Sequence, residues 1–442
     1  MGRVSILWLV ELSFLLGTAG CTLCRHSTET PCSAATAEPS LPAVERTALE
    51  PDLLESAASV KPAQPPGDPQ STLSYRVLAP QQCQCLAAQH APLADSLDYQ
   101  RRKLQEGANN SHLCERKSDK QRAFQEAILL YSALEIRDQS AGTALEWYYQ
   151  LAGAEAKADL LNTSLDRARD TLSRIERLKK QGIRLPSPIE EYQRQIVQLQ
   201  LQQAQNQLTI EQLNSKLRQA MKFDSAHRER FRPDARVPLS TETVPNVEAA
   251  VHLGLAQRPQ LLLLRAMIDD LDRDTLGAAR SLLQSINPLL AMSSPVNCKP
   301  LAMLGKLLHI QPGQNAEVER VRAQLTDYLH ERERVVAAEI REAAYEVRAR
   351  RESVVLAREA AGRWQDRIKD LEKQQAQGMP VFAELTSAHM DWYKARGEVV
   401  KEFLGWKIAA VKVKQAQGIL PAECGYTNED ACGSCAACFA AP

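Results

Sequence analysis

The sequence predicts a mainly α fold made of two pseudo-repeated, long antiparallel coiled-coil helical hairpins, with transmembrane β-strands absent or vestigial. Composition is the first reason. Aromatic residues are only 5% of 442, and Gly 19 and Pro 23 are few for a chain of this length, whereas a large β-sandwich or barrel wants more aromatics and turn residues. Long stretches rich in Ala, Leu, Glu, Arg, Lys and Gln favour helix instead. The second reason is an internal repeat, and the third is a run of apolar steps of three and four. Lys+Arg 54 balances Asp+Glu 54, so electrostatics gives no reason to expect a nucleic acid partner.

In chain order, Met1–Cys21 reads as an export signal: Arg3, then the apolar run Val4–Leu16, then small residues. Ala19-Gly20-Cys21 resembles a bacterial lipoprotein box, which makes Cys21 a candidate lipid anchor; plain cleavage is the other reading. Residues 22–80 are rich in Pro, Ser, Gln and Gly and are expected to be a disordered tether.

Residues 81–225 and 226–420 are expected to be two helical hairpin repeats. A shift of 196 superposes Ala141/Ala337, Glu146/Glu342, Tyr149/Tyr345, Arg167/Arg363, Asp170/Asp366, Glu176/Glu372, Gln181/Gln377 and Gly182/Gly378 without a gap. Chance would give about three such identities over that span. A weaker match at a shift of 167 pairs Leu86/Leu253 and Pro92/Pro259. Gly182 and Gly378 follow helical stretches and precede Pro, as hairpin tips should.

The descending arm of the first hairpin carries Ile189, Tyr192, Ile196, Leu199, Ile210, Leu213 and Leu217 at alternating steps of three and four, with Gln203 and Asn206 filling the middle of the series, a coiled-coil seam. Val197, Leu201, Ala204 and Leu208 form a second seam beside it. Two stripes imply neighbours on both sides, as in a sheet or cylinder of helices.

Several segments resemble the TolC-like family of bacterial outer-membrane efflux proteins. Arg258-Pro259-Gln260-Leu261 resembles that family's Arg-Pro-Glu-Leu segment, and Ala416-Gln417-Gly418-Ile419-Leu420 its closing motif. The Gly-centred tips and the two-fold repeat also match. The resemblance implies a homotrimeric, hollow helical conduit in the cell envelope, mostly periplasmic, fed by an inner-membrane pump. A periplasmic adaptor would dock at the tips Gly182 and Gly378. It implies no catalysis, no resident cofactor, and a structural role for Arg258 and Pro259. Spanning strands need about 9–11 alternating residues, which neither 104–140 nor 289–315 provides.

The tail, 421–442, holds Cys424, Cys432, Cys435 and Cys438. Two-residue gaps can seat zinc, but an exported chain favours disulfides. The histidines form no motif: His252 reads as a packing residue, and His309, His330 and His389 as isolated. Two other functional readings stand beside the conduit. One is a periplasmic coiled-coil scaffold lacking transport; the other is an envelope protein binding metal or exchanging electrons through the cysteine tail.

Overall fold

The computed structural model describes residues 75–110, 119–181, 189–223, 230–234, 246–286, 314–379 and 381–427. Strand β1 (Tyr75–Leu78) leads into helices α1 (Pro80–Gln89), α2 (Pro92–Asn110), α3 (Asp119–Lys180) and α4 (Ile189–Ala220). Then come β2 (Arg230–Pro233), α5 (Val247–Gln257), α6 (Pro259–Asp269), α7 (Leu276–Ile286), α8 (Gln314–Ala376), α9 (Phe382–Gln417) and the short α10 (Leu420–Glu423).

Both repeat offsets are visible in the elements. Adding 196 to the bounds of α3 gives 315–376, against 314–376 for α8; adding 196 to α4 gives 385–416, inside α9. Adding 167 carries α1 to 247–256, the place of α5, and starts α2 at 259, the first residue of α6. Each half is thus a pair of short helices followed by a long hairpin. The halves differ by 29 residues, inserted in the second between α6 and α8, where α7 lies.

The long arms are 62 residues in α3 and 63 in α8, about 95 Å each at 1.5 Å per residue. α3 packs against α4 on one side and α9 on the other, and α9 packs against α8. The four arms therefore form a row, α4–α3–α9–α8. The seam of the descending arm is buried as its spacing requires: Leu199, Ile210, Leu213 and Leu217 face α3, with Asn206 donating to the Ala154 carbonyl at 2.7 Å. Shorter helices brace the row. α1 and α2 lie on α3, α5 on α8 and α9, and α6 on α3 and α8. A core of Leu264, Met267, Leu283, Val321 and Leu325 joins α6, α7 and α8 to Phe124 of α3.

The sequence expectations need three corrections. The ordered chain starts before residue 81, because β1 pairs in parallel with β2, Tyr75 opposite Arg230 through Leu78 opposite Pro233. Order also continues past 421, since α10 and the residues to Thr427 dock on the body. His252 is exposed rather than packed. As expected, the described parts of 104–140 carry no spanning strand and are helical, in α2 and α3. Among the described residues the two four-residue strands are the only sheet, and no helix is long and apolar enough to cross a membrane.

Candidate functional site: the joint, the tip and the edges of the helix row

The two family-like segments, 158 residues apart, meet. α5 ends at Arg258, whose extended backbone (φ −61°, ψ 123°) lets Pro259 open α6 at the position where a missing N–H costs nothing. The Arg258 guanidinium donates to the Ala416 carbonyl at 3.1 Å and to Glu339 at 2.5 Å, tying the end of α9 to α8. Gly418 caps α9 at φ +72°, and a Cβ there would stand 2.6 Å from Pro259 Cδ and 3.0 Å from Arg258 Cα. Gln417 completes the joint by donating to the Ala250 carbonyl at 3.1 Å. Arg258 and Pro259 are therefore fastenings between the second repeat's short helices and its long hairpin.

The closing segment is latched from the other side. Gln84 on α1 donates to the Leu420 carbonyl at 3.0 Å and to Glu423 at 2.9 Å, and Lys414 donates to Glu423 at 2.7 Å. The Leu420 N–H donates to buried Asp138 at 3.3 Å. Burial pushes the Asp138 carboxyl well above the usual range; Glu135 and Glu423 add to this, while the Leu420 N–H and Arg258 oppose it. Arg137 stacks on the Tyr426 ring at 4.3 Å and pairs with Asp98 at 2.5 Å.

A disulfide joins Cys85 of α1 to Cys424, with their Cα atoms 5.1 Å apart. A sulfur held in a disulfide is not a thiolate, so Cys424 leaves the candidate metal set. Cys432, Cys435 and Cys438 lie outside the described residues, as does Cys21. Among the described residues no group of three or more His, Cys, Asp or Glu side chains stands close enough to hold a metal ion. Cys83 is a buried free thiol, its pKa pushed up to about 12 by burial.

At the tip of the second hairpin Gly378 has φ +82°, with open space where a Cβ would point. Met379 beside it is exposed. Gly182, its equivalent in the first hairpin, lies outside the described residues.

The edges of the row carry the largest exposed apolar surface of the arms. On α4 the stripe Val197, Leu201 and Leu208 is uncovered. On α8 the matching surface is Tyr345, Val355, Leu356 and Trp364. Part of it is an open hollow of about 490 Å³, where Leu356, Ala360 and Trp364 lie among Glu359, Arg363 and Arg367.

The repeat explains why these surfaces look like interior. Tyr149 of α3 is 7% exposed, whereas its equivalent Tyr345 of α8 is 58% exposed. Tyr393 of α9 is 8% exposed and its equivalent Val197 of α4 is 64% exposed. Leu404 of α9 packs against Gly153 of α3, while its equivalent Leu208 of α4 is 59% exposed. Residues that close the α3–α9 contact inside the chain recur on α8 and α4 with nothing over them.

Sequence reasoning placed the Gly378 tip, the buried seam of α4 and the Arg258-Pro259 turn, whereas Val197, Leu201, Ala204 and Leu208 of the expected second seam are exposed in the single chain. It did not pair Cys85 with Cys424, since spacing alone fixes no connectivity. It treated His389 as isolated, although the structure sets its Nε2 2.6 Å from Arg167 Nη2. That contact crosses between hairpins, and no local motif announces it.

No protein-family model matches the chain, and no curated protein matches it. Solved structures do. A membrane protein from Pseudomonas aeruginosa aligns with a TM-score of 0.53 at 14% identity, over 81% of this chain and 96% of that one. The CmeC outer membrane channel of Campylobacter jejuni aligns with a TM-score of 0.50 at 12% identity, over 68% of this chain and 67% of that one. At these identities the likeness is one of fold. The helical-hairpin fold is the one that the resemblance in the sequence implies.

Proposed function

We propose that this protein is the outer component of an envelope efflux system, a helical periplasmic conduit made from three copies of the chain. The observation that carries this reading is the mismatch between the repeat and the burial. α3 meets α9 within the chain; the equivalent contact, α8 with α4, is not among the main helix contacts of the described residues. Made between copies, it would cover Val197, Leu201 and Leu208 with the Tyr345–Trp364 surface of the next chain. Such a head-to-tail contact either closes into a ring or grows into a filament. Four arms per chain give twelve for three copies, the number that the family resemblance implies for a closed cylinder.

In this reading the tips at Gly182 and Gly378 receive a periplasmic adaptor, which connects the conduit to an inner-membrane pump. The outer membrane location follows from the fold likeness and from the export signal. Attachment there is assigned to a lipid on Cys21.

The test is site-specific photo-cross-linking in cells. A photoreactive residue in place of Met379 is expected to capture an adaptor protein encoded beside an inner-membrane pump. One in place of Leu201 is expected to link copies of this chain to each other. Linked copies with no adaptor at Met379 would overturn the efflux assignment and favour the scaffold reading.

A further inference from the structure

We propose that His389 and Arg167 form a pH-sensitive clasp between the two hairpins, closed while the imidazole is neutral and released when it takes a proton. Arg167 stands on α3 of the first hairpin and His389 on α9 of the second. Their nitrogens are 2.6 Å apart. A guanidinium can only donate, so His389 Nε2 must accept, which requires a neutral ring with its proton on Nδ1. Protonating Nε2 removes the acceptor and sets two cations face to face.

A second partner waits on the same ring. Glu372 of α8 lies 3.9 Å from Nε2, and the His389 side chain is only 12% exposed. The imidazolium would exchange Arg167 for Glu372, a contact within the second hairpin, and the tie between hairpins would be lost. The groups around the ring are known on every side. Arg167 and Arg174 come from α3, Tyr192 from α4, Glu372 from α8, and Tyr393 lies one turn along α9. Burial is the larger cause lowering the His389 pKa below 6.5, with Arg167 adding and Glu372 opposing.

The site also has room for the change. A cavity of about 60 Å³ lies between α3, α4 and α9, lined by Arg167, Thr171, Gln195, Thr386 and His389. His389 is 11 residues from Gly378, about 16 Å along the helix, so the clasp governs how tightly the hairpins are held near their tips. A lowered pKa means that the contribution to stability is present above the ordinary value and is lost as pH falls through the folded value. The clasp therefore holds above pH 6.5 and opens below it. This proposal rests on the chain's own geometry and does not depend on the efflux assignment.

Hydrogen exchange of the full chain, corrected for the intrinsic pH dependence of exchange, tests it. Amides of 385–396 on α9 and 164–172 on α3 are expected to lose protection as pH falls from 7.5 to 5, by up to about tenfold per unit between pH 6.5 and the lower folded-state value. His389→Gln, which can accept from Arg167 but does not titrate, should keep full protection throughout. Glu372→Gln should move the midpoint to lower pH and Arg167→Gln to higher pH. Unchanged protection in the parent protein, an equal pH response in His389→Gln, or a midpoint indifferent to both neighbours would each overturn the clasp.

Discussion

At Gly418 and Gly378 the same residue type answers two different demands. Both have left-handed backbones, which any Cβ makes costly. Only Gly418 is also crowded, by Pro259 and the Arg258 backbone. Gly378→Ala should therefore cost about 1 kcal/mol. Gly418→Ala should cost about 2–3 kcal/mol, because strain at Arg258-Pro259 adds to the backbone term. Urea unfolding of both variants decides; equal costs would mean that the joint between the two motifs is not tight. Asp138 offers a second residue-scale test. Its carboxyl is held above the usual range mainly by burial. A raised acid favours the fold below the ordinary carboxylate pKa, and that contribution is lost as pH rises through the folded value. Asp138→Asn keeps an oxygen for the Leu420 N–H and removes the buried charge. It should raise Tm by about 1–3 °C at pH 7.5, with the advantage vanishing near pH 4. A drop in Tm at pH 7.5 would show that the charge is needed there.

Helices were the most legible elements, and their joints the least. Alternating steps of three and four name the buried face of α4 correctly at Leu199, Ile210, Leu213 and Leu217. The first turn of α3 is made by Asp119 and Lys120, charged residues that no apolar spacing marks. The β1–β2 pairing joins residues about 155 positions apart and has no local signal. The partner of Cys424 was equally hidden, since eleven cysteines allow many pairings. The latch of α10 now gives that disulfide a job at the element scale. Gln84, Asp138 and Arg137 hold the same segment without it. Cys85→Ser should destabilise the protein by about 2–4 kcal/mol. The loss of hydrogen-exchange protection should be greatest in 419–427, while α8 and the lower parts of α3 and α9 keep theirs. Uniform loss over the whole row would mean that the bond supports the fold globally and not the closing segment.

At the scale of the whole molecule, the repeat makes a demand that one chain cannot meet. α3 and α8 are equivalents, as are α4 and α9, yet among the described residues the main contact between long arms of the two hairpins is that of α3 with α9. An exposed stripe the length of Val197–Leu208, with Tyr345–Trp364 at the opposite edge, is more apolar surface than a monomeric protein usually leaves wet. Each edge is complementary to the other rather than to itself, so a two-fold dimer would leave one edge of each kind uncovered. A closed ring covers all of them. Replacing Leu201 and Leu208 together by Glu puts two unpaired carboxylates into that contact, where desolvation costs several kcal/mol. It does so without touching the α3–α4 seam, because both side chains point away from it. The double variant should keep its helical circular dichroism and its hairpin hydrogen-exchange pattern. Its sedimentation should shift from a trimer to a monomer at micromolar concentration, a loss of association of about a hundredfold or more. A third variant guards against a merely local defect. Tyr345→Glu, on the other edge, should produce the same monomer, and mixing the two variants should not restore closed trimers, since every mixed ring still contains a damaged contact. A parent protein that is already monomeric under these conditions, with both stripes exposed, would rule out the cylinder.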